Sequence, residues 1–258
     1  MNQPAGKIIK AKKVRLDKLL VEQGRADSRQ QAQGFILAGR VKVAGQRMDK
    51  PGSLVTAEAA LEVETPEHPY VSRGGVKLKA ALEHFGIAVK GSTCLDVGAS
   101  TGGFTHCLLL EGAGKVYALD VGKGQLDWAL RQDPRVVNLE EINIRHLEPQ
   151  TIPEPLDFIS VDVSFISLKL VLPVVYQFLS GGGEAVALIK PQFEVGKGKV
   201  QKGGLVKDPR LHQQVIQDIS QFCLQLGFKV HGVIASPLIG GKGGERGNKE
   251  FLIYLSKG

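Results

Sequence analysis

Four ionisable side chains sit at the borders of apolar runs. Lys77 lies in VSRGGVKLKAALEHF, Asp162 closes FISVD, Lys190 closes AVALIK ahead of Pro191, and Glu250 opens EFLIYL. Lysine and carboxylate groups placed at such borders are partly withdrawn from water. Desolvation and neighbouring charge are the two effects that bring a proton-transfer group into working range. Surface salt bridges are the competing reading of the same residue types.

A second chemical element is a glycine-rich turn. The run Thr93–Val97 contains Asp96 and leads into Gly98, Ala99, Ser100, Thr101, Gly102, Gly103 and Phe104. Such a turn between strand and helix lets a ligand approach the backbone and a helix N-terminus. A dinucleotide cradle, G-x-G-x-x-G, fails here because Ser100 occupies one of its glycine positions. A hydrolase elbow, G-x-S-x-G, matches Gly98–Gly102 as a string, with Ser100 as nucleophile and His212 or His231 as base. Its context is wrong: the turn follows the first strand of its domain, and His212 falls inside a helical pattern. S-adenosylmethionine needs close backbone approach and an acid for its ribose. Asp96 and the turn supply the first, and Asp120 in ALDVG, one strand later, supplies the second. Asn143 in INIR then falls where an adenine edge would lie.

These groups need a scaffold, and the pattern around them alternates strand and helix. Strands are expected at Thr93–Val97, Lys115–Leu119, Val136–Leu139, Phe158–Val161, Ala185–Ile189, Phe228–Ala235 and Phe251–Leu255. Helices are expected at Phe104–Glu111, Gln125–Arg131, Leu168–Leu179 and Leu211–Leu226. This is the α/β, doubly wound class with a parallel sheet. Its last two strands have no helix between them and should pair antiparallel at the edge. Asp162 and Lys190 would then end parallel strands at their carboxyl ends, where such folds bind ligands. Two glycine- and lysine-rich segments, Phe193–Asp208 and Gly240–Asn248, read as basic loops near that face.

The charge is unevenly distributed. The 258-residue chain carries +7 overall, yet residues 1–50 hold 12 Lys/Arg against 4 Asp/Glu, and the remainder holds 21 against 22. A compact basic segment on a neutral body suggests a module that docks a polyanion. Within it, Val14–Gln23 reads as a short helix. A second helix starts after Asp27 and Ser28 and runs to about Ala38, and short strands follow at Val41–Val43, Leu54–Val55 and Ala60–Val63. Arg15, Lys18, Ser28, Arg29, Arg40, Lys42, Arg47 and Lys50 recur where these elements converge. Arginine forks and a hydroxyl suit phosphate oxygens. Residues 1–13 read as a flexible basic tail, 14–65 as a small α+β domain, 66–69 as a linker and 70–258 as the body. Cys94, Cys107 and Cys223 are too scattered for a disulfide framework or a zinc cluster, and no metal is expected. No apolar run reaches the length of a membrane helix, and no secretory signal is evident. A soluble cytoplasmic protein is expected.

RLDKLL, SRQQAQGFILAGRVKVAGQ and KPG resemble an S4 domain, the RNA-binding fold of a ribosomal protein and several RNA-modifying enzymes. DVGASTGGFT, VDVSFISL, LIKPQFE and GNKEFL, preceded by SRGGVKL, resemble the FtsJ-like methyltransferase domain. Together they resemble the TlyA (hemolysin A) family of ribosomal RNA 2′-O-methyltransferases over nearly the whole chain. The resemblance implies a Rossmann-like class I methyltransferase domain using S-adenosylmethionine, with ribosomal RNA or ribosomal subunits as partner; the sequence does not fix an oligomeric state, and a monomer is the favoured expectation. It places a Lys-Asp-Lys-Glu tetrad at Lys77, Asp162, Lys190 and Glu250, with Lys190 as base and Lys77 supporting the developing alkoxide. An assembly factor with an inactive catalytic domain is the competing reading, opposed by the intact tetrad. A cytolysin would need a membrane-seeking segment, which the sequence lacks.

Overall fold

The computed structural model describes residues 13–37, 39–64, 68–196, 198–201, 203–240 and 247–258. Most of the basic tail, Ala38, position 65, positions 66–67 of the linker and the centre of the Gly240–Asn248 segment lie outside the described residues. The chain divides into two compact units, Met1–Pro69 and Tyr70–Gly258.

The first unit contains β1 (Lys13–Arg15), α1 (Leu16–Glu22), α2 (Arg29–Leu37), β2 (Val41–Val43), β3 (Gln46–Met48), β4 (Leu54–Thr56) and β5 (Leu61–Val63). Antiparallel pairing of β1 with β4 joins Arg15 to Leu54, and a three-stranded sheet runs β3-β2-β5. The expected helix over Val14–Gln23 therefore starts later. Lys13–Arg15 satisfies its backbone groups in a strand ladder, and the helix begins at Leu16. The strand β3 escaped the sequence reading because Gln-Arg-Met carries no apolar alternation. Leu16, Leu19, Leu20, Ala32, Ile36 and Val41 form the small core.

The second unit contains α3 (Gly74–Phe85), β6 (Thr93–Val97), α4 (Gly103–Leu110), β7 (Lys115–Leu119), α5 (Trp128–Gln132), β8 (Val136–Leu139), β9 (Leu156–Val161), α6 (Leu172–Phe178), β10 (Leu179–Ile189), α7 (Pro191–Glu194), α8 (Pro209–Leu226), β11 (Phe228–Ala235) and β12 (Phe251–Lys257). Its seven-stranded sheet runs β11-β12-β10-β9-β6-β7-β8. The five strands from β6 to β10 are mutually parallel, and β12 is antiparallel to both neighbours. Successive strand residues point to opposite faces, so both faces must be apolar when helices cover both. In β9, Phe158 packs with Leu78, Leu108 and Leu130 of α3, α4 and α5, while Ile159 packs with Val175 of α6 and Ile219 of α8.

The last two strands form an antiparallel pair at one edge of the sheet, as expected; within that pair β11 takes the rim and β12 lies between β10 and β11. Insertion matters because Phe251 pairs with Ile189, which brings the start of β12 to the carboxyl end of β10. Other differences are local. Pro173 near the start of α6 splits the expected Leu168–Leu179 helix into a 3₁₀ turn, Leu168–Leu170, and α6. The α5 helix starts only at Trp128 because Asp127 caps it, accepting the Ala129 N–H at 2.9 Å. Within Phe193–Asp208, α7 occupies the start, and Asn248 accepts the Val206 N–H at 2.7 Å and donates to Gly204 O at 2.8 Å. Among the described residues, no helix is long and apolar enough to cross a membrane.

Candidate active site and basic surface

Register alone aligns the chemical groups. Val97 pairs with Leu119 on one side and with Val161 on the other, so Gly98, Asp120 and Asp162 leave adjacent parallel strands at one level. Lys190 leaves β10 beside them, and β12 returns Glu250 to the same edge. Lys77 arrives from α3, which precedes the sheet.

The four tetrad positions form two ion pairs. Lys77 Nζ lies 2.6 Å from Glu250 Oε2, and Lys190 Nζ lies 2.6 Å from Asp162 Oδ1. Lys190 also donates to Ser164 Oγ at 2.9 Å. Lys77, Lys190 and Glu250 are 12%, 10% and 4% exposed, so these are not the solvated pairs of a surface. Lys77, Asp162 and Lys190 line one cavity of about 440 Å³, with Gly98, Ser100 and Phe104 also on its wall. Gly240 covers Glu250: a Cβ there would sit 2.1 Å from Glu250 Oε1.

A second cavity of about 720 Å³ is lined by Gly98, Asp120, Asn143, Asp162, Ser164 and Phe165 among others. The two cavities share Gly98, Ser100, Asp162 and Ser164. The turn between them is built for close approach. Gly98 has φ +85°, and a Cβ on it would meet Asp162 O at 2.5 Å. Ser100 adopts φ +49°, a left-handed conformation unusual for a side-chain-bearing residue. Asp120 braces it, accepting the Ser100 N–H at 2.8 Å on Oδ2 and the Gly122 N–H at 2.7 Å on Oδ1. Gly102, with φ +94°, leaves no room for a Cβ beneath Leu130. Thr101 takes the Asp127 N–H on its carbonyl, tying the turn to α5, while Ala99 is buried.

Two expectations need adjustment, and an alternative already disfavoured by the sequence can be closed. Asp96 lines neither cavity: it is fully buried, accepting Thr105 N–H at 2.9 Å, Thr105 Oγ1 at 2.7 Å and Ser160 Oγ at 3.1 Å. Its carboxylate binds α4 and β9 to β6, and burial pushes it up to about 7. Asn143 lines the larger cavity, but its side chain also caps the following turn by accepting the Arg145 N–H. The hydrolase alternative falls away. Ser100 Oγ donates to Gln125 at 3.2 Å, whereas His212 Nε2 lies 2.7 Å from Val206 O and His231 Nε2 lies 2.8 Å from Ser256 Oγ.

Ser164, Phe165 and Glu194 were not singled out from sequence. Phe165 has φ +63° and is 92% exposed, with its ring 5.2 Å from that of Phe193. Glu194 accepts Ser167 Oγ at 2.6 Å and the Leu168 N–H at 2.8 Å, stitching α7 to the loop that bears Ser164 and Phe165. The one available signal was proximity: all three lie within four residues of Asp162 or Lys190.

In the first unit the basic residues fall into separate groups. Arg15 and Arg29 converge on Asp17, with closest approaches of 2.9 Å each. Lys42 and Arg47 meet Glu64 at 2.8 and 3.1 Å, and Arg40 lies over the Phe35 ring at 4.3 Å while donating to Glu64 O. Lys18 and Lys50 are exposed. Ser28 is committed to its own helix: Oγ accepts the Gln31 N–H at 3.1 Å.

Residues 70–257 match the FtsJ-like methyltransferase family model, and residues 14–61 match the S4 domain. The chain is 48% identical over 246 residues to a Mycobacterium tuberculosis protein named 16S/23S rRNA (cytidine-2′-O)-methyltransferase TlyA, covering 95% of this chain and 90% of that one. It is 40% identical over 243 residues to a Brachyspira hyodysenteriae protein named Hemolysin A, covering 94% and 99%. A solved structure from Streptococcus thermophilus, provisionally named a hemolysin, superposes with a TM-score of 0.72 at 43% identity over 96% of this chain and 90% of that one. With a matching model over most of its length and relatives of this identity along nearly all of it, the chain belongs to the FtsJ-like methyltransferase family and carries an S4 domain at its N-terminal end.

Proposed function

We propose that this protein transfers a methyl group from S-adenosylmethionine to a ribose 2′-hydroxyl of ribosomal RNA, in the cytoplasm, with residues 14–65 docking the RNA. The observation that carries this reading is the pair of adjoining cavities. One is edged by a strand-end acid and a glycine turn, the other by Lys77, Lys190 and Asp162, with Glu250 paired to Lys77, and Asp162 lines both. The larger cavity fits the methyl donor. Gly98, packed against the Asp162 backbone, lies on the cavity wall, Asp120 offers its remaining lone pairs to the ribose hydroxyls, and Asn143 and Val121 border the place for the adenine. When bound, the donor supplies an electrophilic methyl on a sulfonium.

The smaller cavity supports deprotonation of a hydroxyl. In its uncharged amine form, Lys190 accepts the 2′-hydroxyl proton as the oxygen attacks the methyl group. Asp162 and Ser164 hold its Nζ in place, and Lys77, oriented by Glu250, offers charge to the developing oxyanion. A cysteine-based attack on a base carbon is not supported. Cys94, Cys107 and Cys223 are all buried, and burial pushes each thiol up to about 12. The relatives named for cytidine-2′-O-methylation and the matched family support the same assignment. An assembly factor with an inactive domain is disfavoured by the intact, ion-paired tetrad, of which Lys190 and Glu250 are buried.

Steady-state kinetics and calorimetry on Lys190→Ala test the proposal. Turnover should fall about 10²–10⁴-fold, the range of a general base, with donor affinity close to wild type. Near-normal turnover would remove Lys190 from the chemistry.

A further inference from the structure

Asp17 is the one buried charged side chain among the described residues of the first unit. It stands in the first turn of α1, and its backbone N–H bonds Pro51 O at 3.1 Å, fixing it to the turn that carries Lys50. Its carboxylate is crowded with donors. Arg15 Nε reaches Oδ1 at 3.0 Å and Arg15 Nη2 reaches Oδ2 at 2.9 Å. Arg29 Nε and Gln33 Nε2 reach Oδ2 at 2.9 and 3.0 Å. Bonding of this kind holds the carboxylate ionised, far below the usual range.

One arginine would neutralise one carboxylate. Here two do so from different elements, leaving a net positive charge. Arg15 spends Nε and Nη2 on Asp17 and Arg29 spends Nε, so each guanidinium keeps further N–H groups not bonded to Asp17. The side chains are 41% and 50% exposed. Arg15 is further confined from the other side: its Nη1 lies against Gly52, where a Cβ would stand 3.3 Å away. The second basic group differs, since Glu64 beneath Lys42 and Arg47 is itself 38% exposed. Long basic side chains ordinarily lose rotamer freedom when they grip a ligand, and a pre-formed seat removes that cost before binding.

We propose that Asp17 is a positioning residue for RNA: buried and acidic, it seats Arg15 and Arg29 as a rigid two-arginine clamp for neighbouring phosphodiesters of a folded RNA backbone. The proposal rests on the reading that this unit docks RNA. It has a sign that charge counting does not. Asp17→Asn removes a negative charge beside the RNA, so net electrostatics alone gives tighter binding. A clamp that has lost its seat gives weaker binding.

The test is a salt titration, from 50 to 200 mM KCl, of full-length protein binding to purified ribosomal subunits, with thermal unfolding of each variant as a folding control. Asp17→Asn should bind roughly ten-fold more weakly, with a shallower dependence of log affinity on log salt, because fewer phosphates are neutralised. The charge-conserving pair Arg15→Lys with Arg29→Lys should weaken binding similarly, since lysine cannot bond Asp17 and a phosphate with one planar fork. If Asp17→Asn is folded and binds as tightly as wild type or tighter, the clamp is overturned. If that variant does not fold, the lysine pair decides, and undiminished affinity overturns the clamp. Arg15→Ala with Arg29→Ala separates the two ideas. Unchanged affinity and salt slope there mean that these arginines do not face RNA, and the underlying docking reading fails with the clamp.

Discussion

Replacing Asp96 by asparagine should make the protein's stability less sensitive to pH, in a direction fixed by the buried site. In the unfolded chain this carboxyl ionises near 3.8, and in the folded protein burial raises that value to about 7 despite the donors Thr105 and Ser160. Below the unfolded value both states hold the proton, and Asp96 contributes no pH dependence. Between the two values the unfolded chain releases the proton while the folded protein keeps it, so stability falls as pH rises. Above about 7 the loss is complete, at about 4 kcal/mol for a shift of this size. Asparagine keeps an acceptor for Thr105 and gains a donor for Ser160, with nothing to ionise. Denaturant unfolding of both proteins at pH 5 and pH 8 isolates this group, because all other titrations are common to the pair. The stability difference should move by about 3 kcal/mol in favour of the asparagine variant on going to pH 8. A difference constant within about 1 kcal/mol would refute the assignment of Asp96 as a buried brace with a raised pKa.

Asp120→Ala should weaken S-adenosylmethionine binding by about 1–3 kcal/mol, the scale of charge-assisted hydrogen bonds to the ribose with some loss of the braced turn; equal affinities by calorimetry would take Asp120 out of the donor site. Phe165→Ala should leave the unfolding midpoint where it is, because the ring is 92% exposed. It should raise the KM for RNA by the equivalent of about 1–3 kcal/mol if the ring stacks on a base at the mouth of the site; an unchanged KM would show that it does not.

Most of the site was legible because strand-end chemistry follows strand pattern. Asp120, Asp162 and Lys190 each terminate an apolar run, and a parallel sheet brings such termini to one edge. Glu250 was identified by its motif, but its position depends on β12 entering between β10 and β11, which the order of elements along the chain does not specify. Asp96 misled for a physical reason. Its place at a glycine turn suits a ligand contact, yet strand alternation turns it inward to Thr105. Arg15, Arg29 and Ser28 show the same limit in the first unit. Charge and residue type marked them for phosphate, but Arg15 turns to Asp17 two residues away, Arg29 reaches the same carboxylate once α1 and α2 pack together, and Ser28, placed just before α2, caps that helix. Ser164 and Glu194 carry no composition signal, since a serine or glutamate in a loop is ordinary until its partner is known.

The central claim concerns the acceptor atom. Incubating purified ribosomal subunits with the protein and methyl-labelled S-adenosylmethionine, then hydrolysing the RNA in alkali, reads that atom directly. Ribose methylation predicts that the label appears in an alkali-resistant dinucleotide, since a methylated 2′-oxygen cannot attack the neighbouring phosphate, and that Lys190→Ala leaves the RNA unlabelled. Label recovered in an ordinary mononucleotide, methylated on its base, would contradict the account.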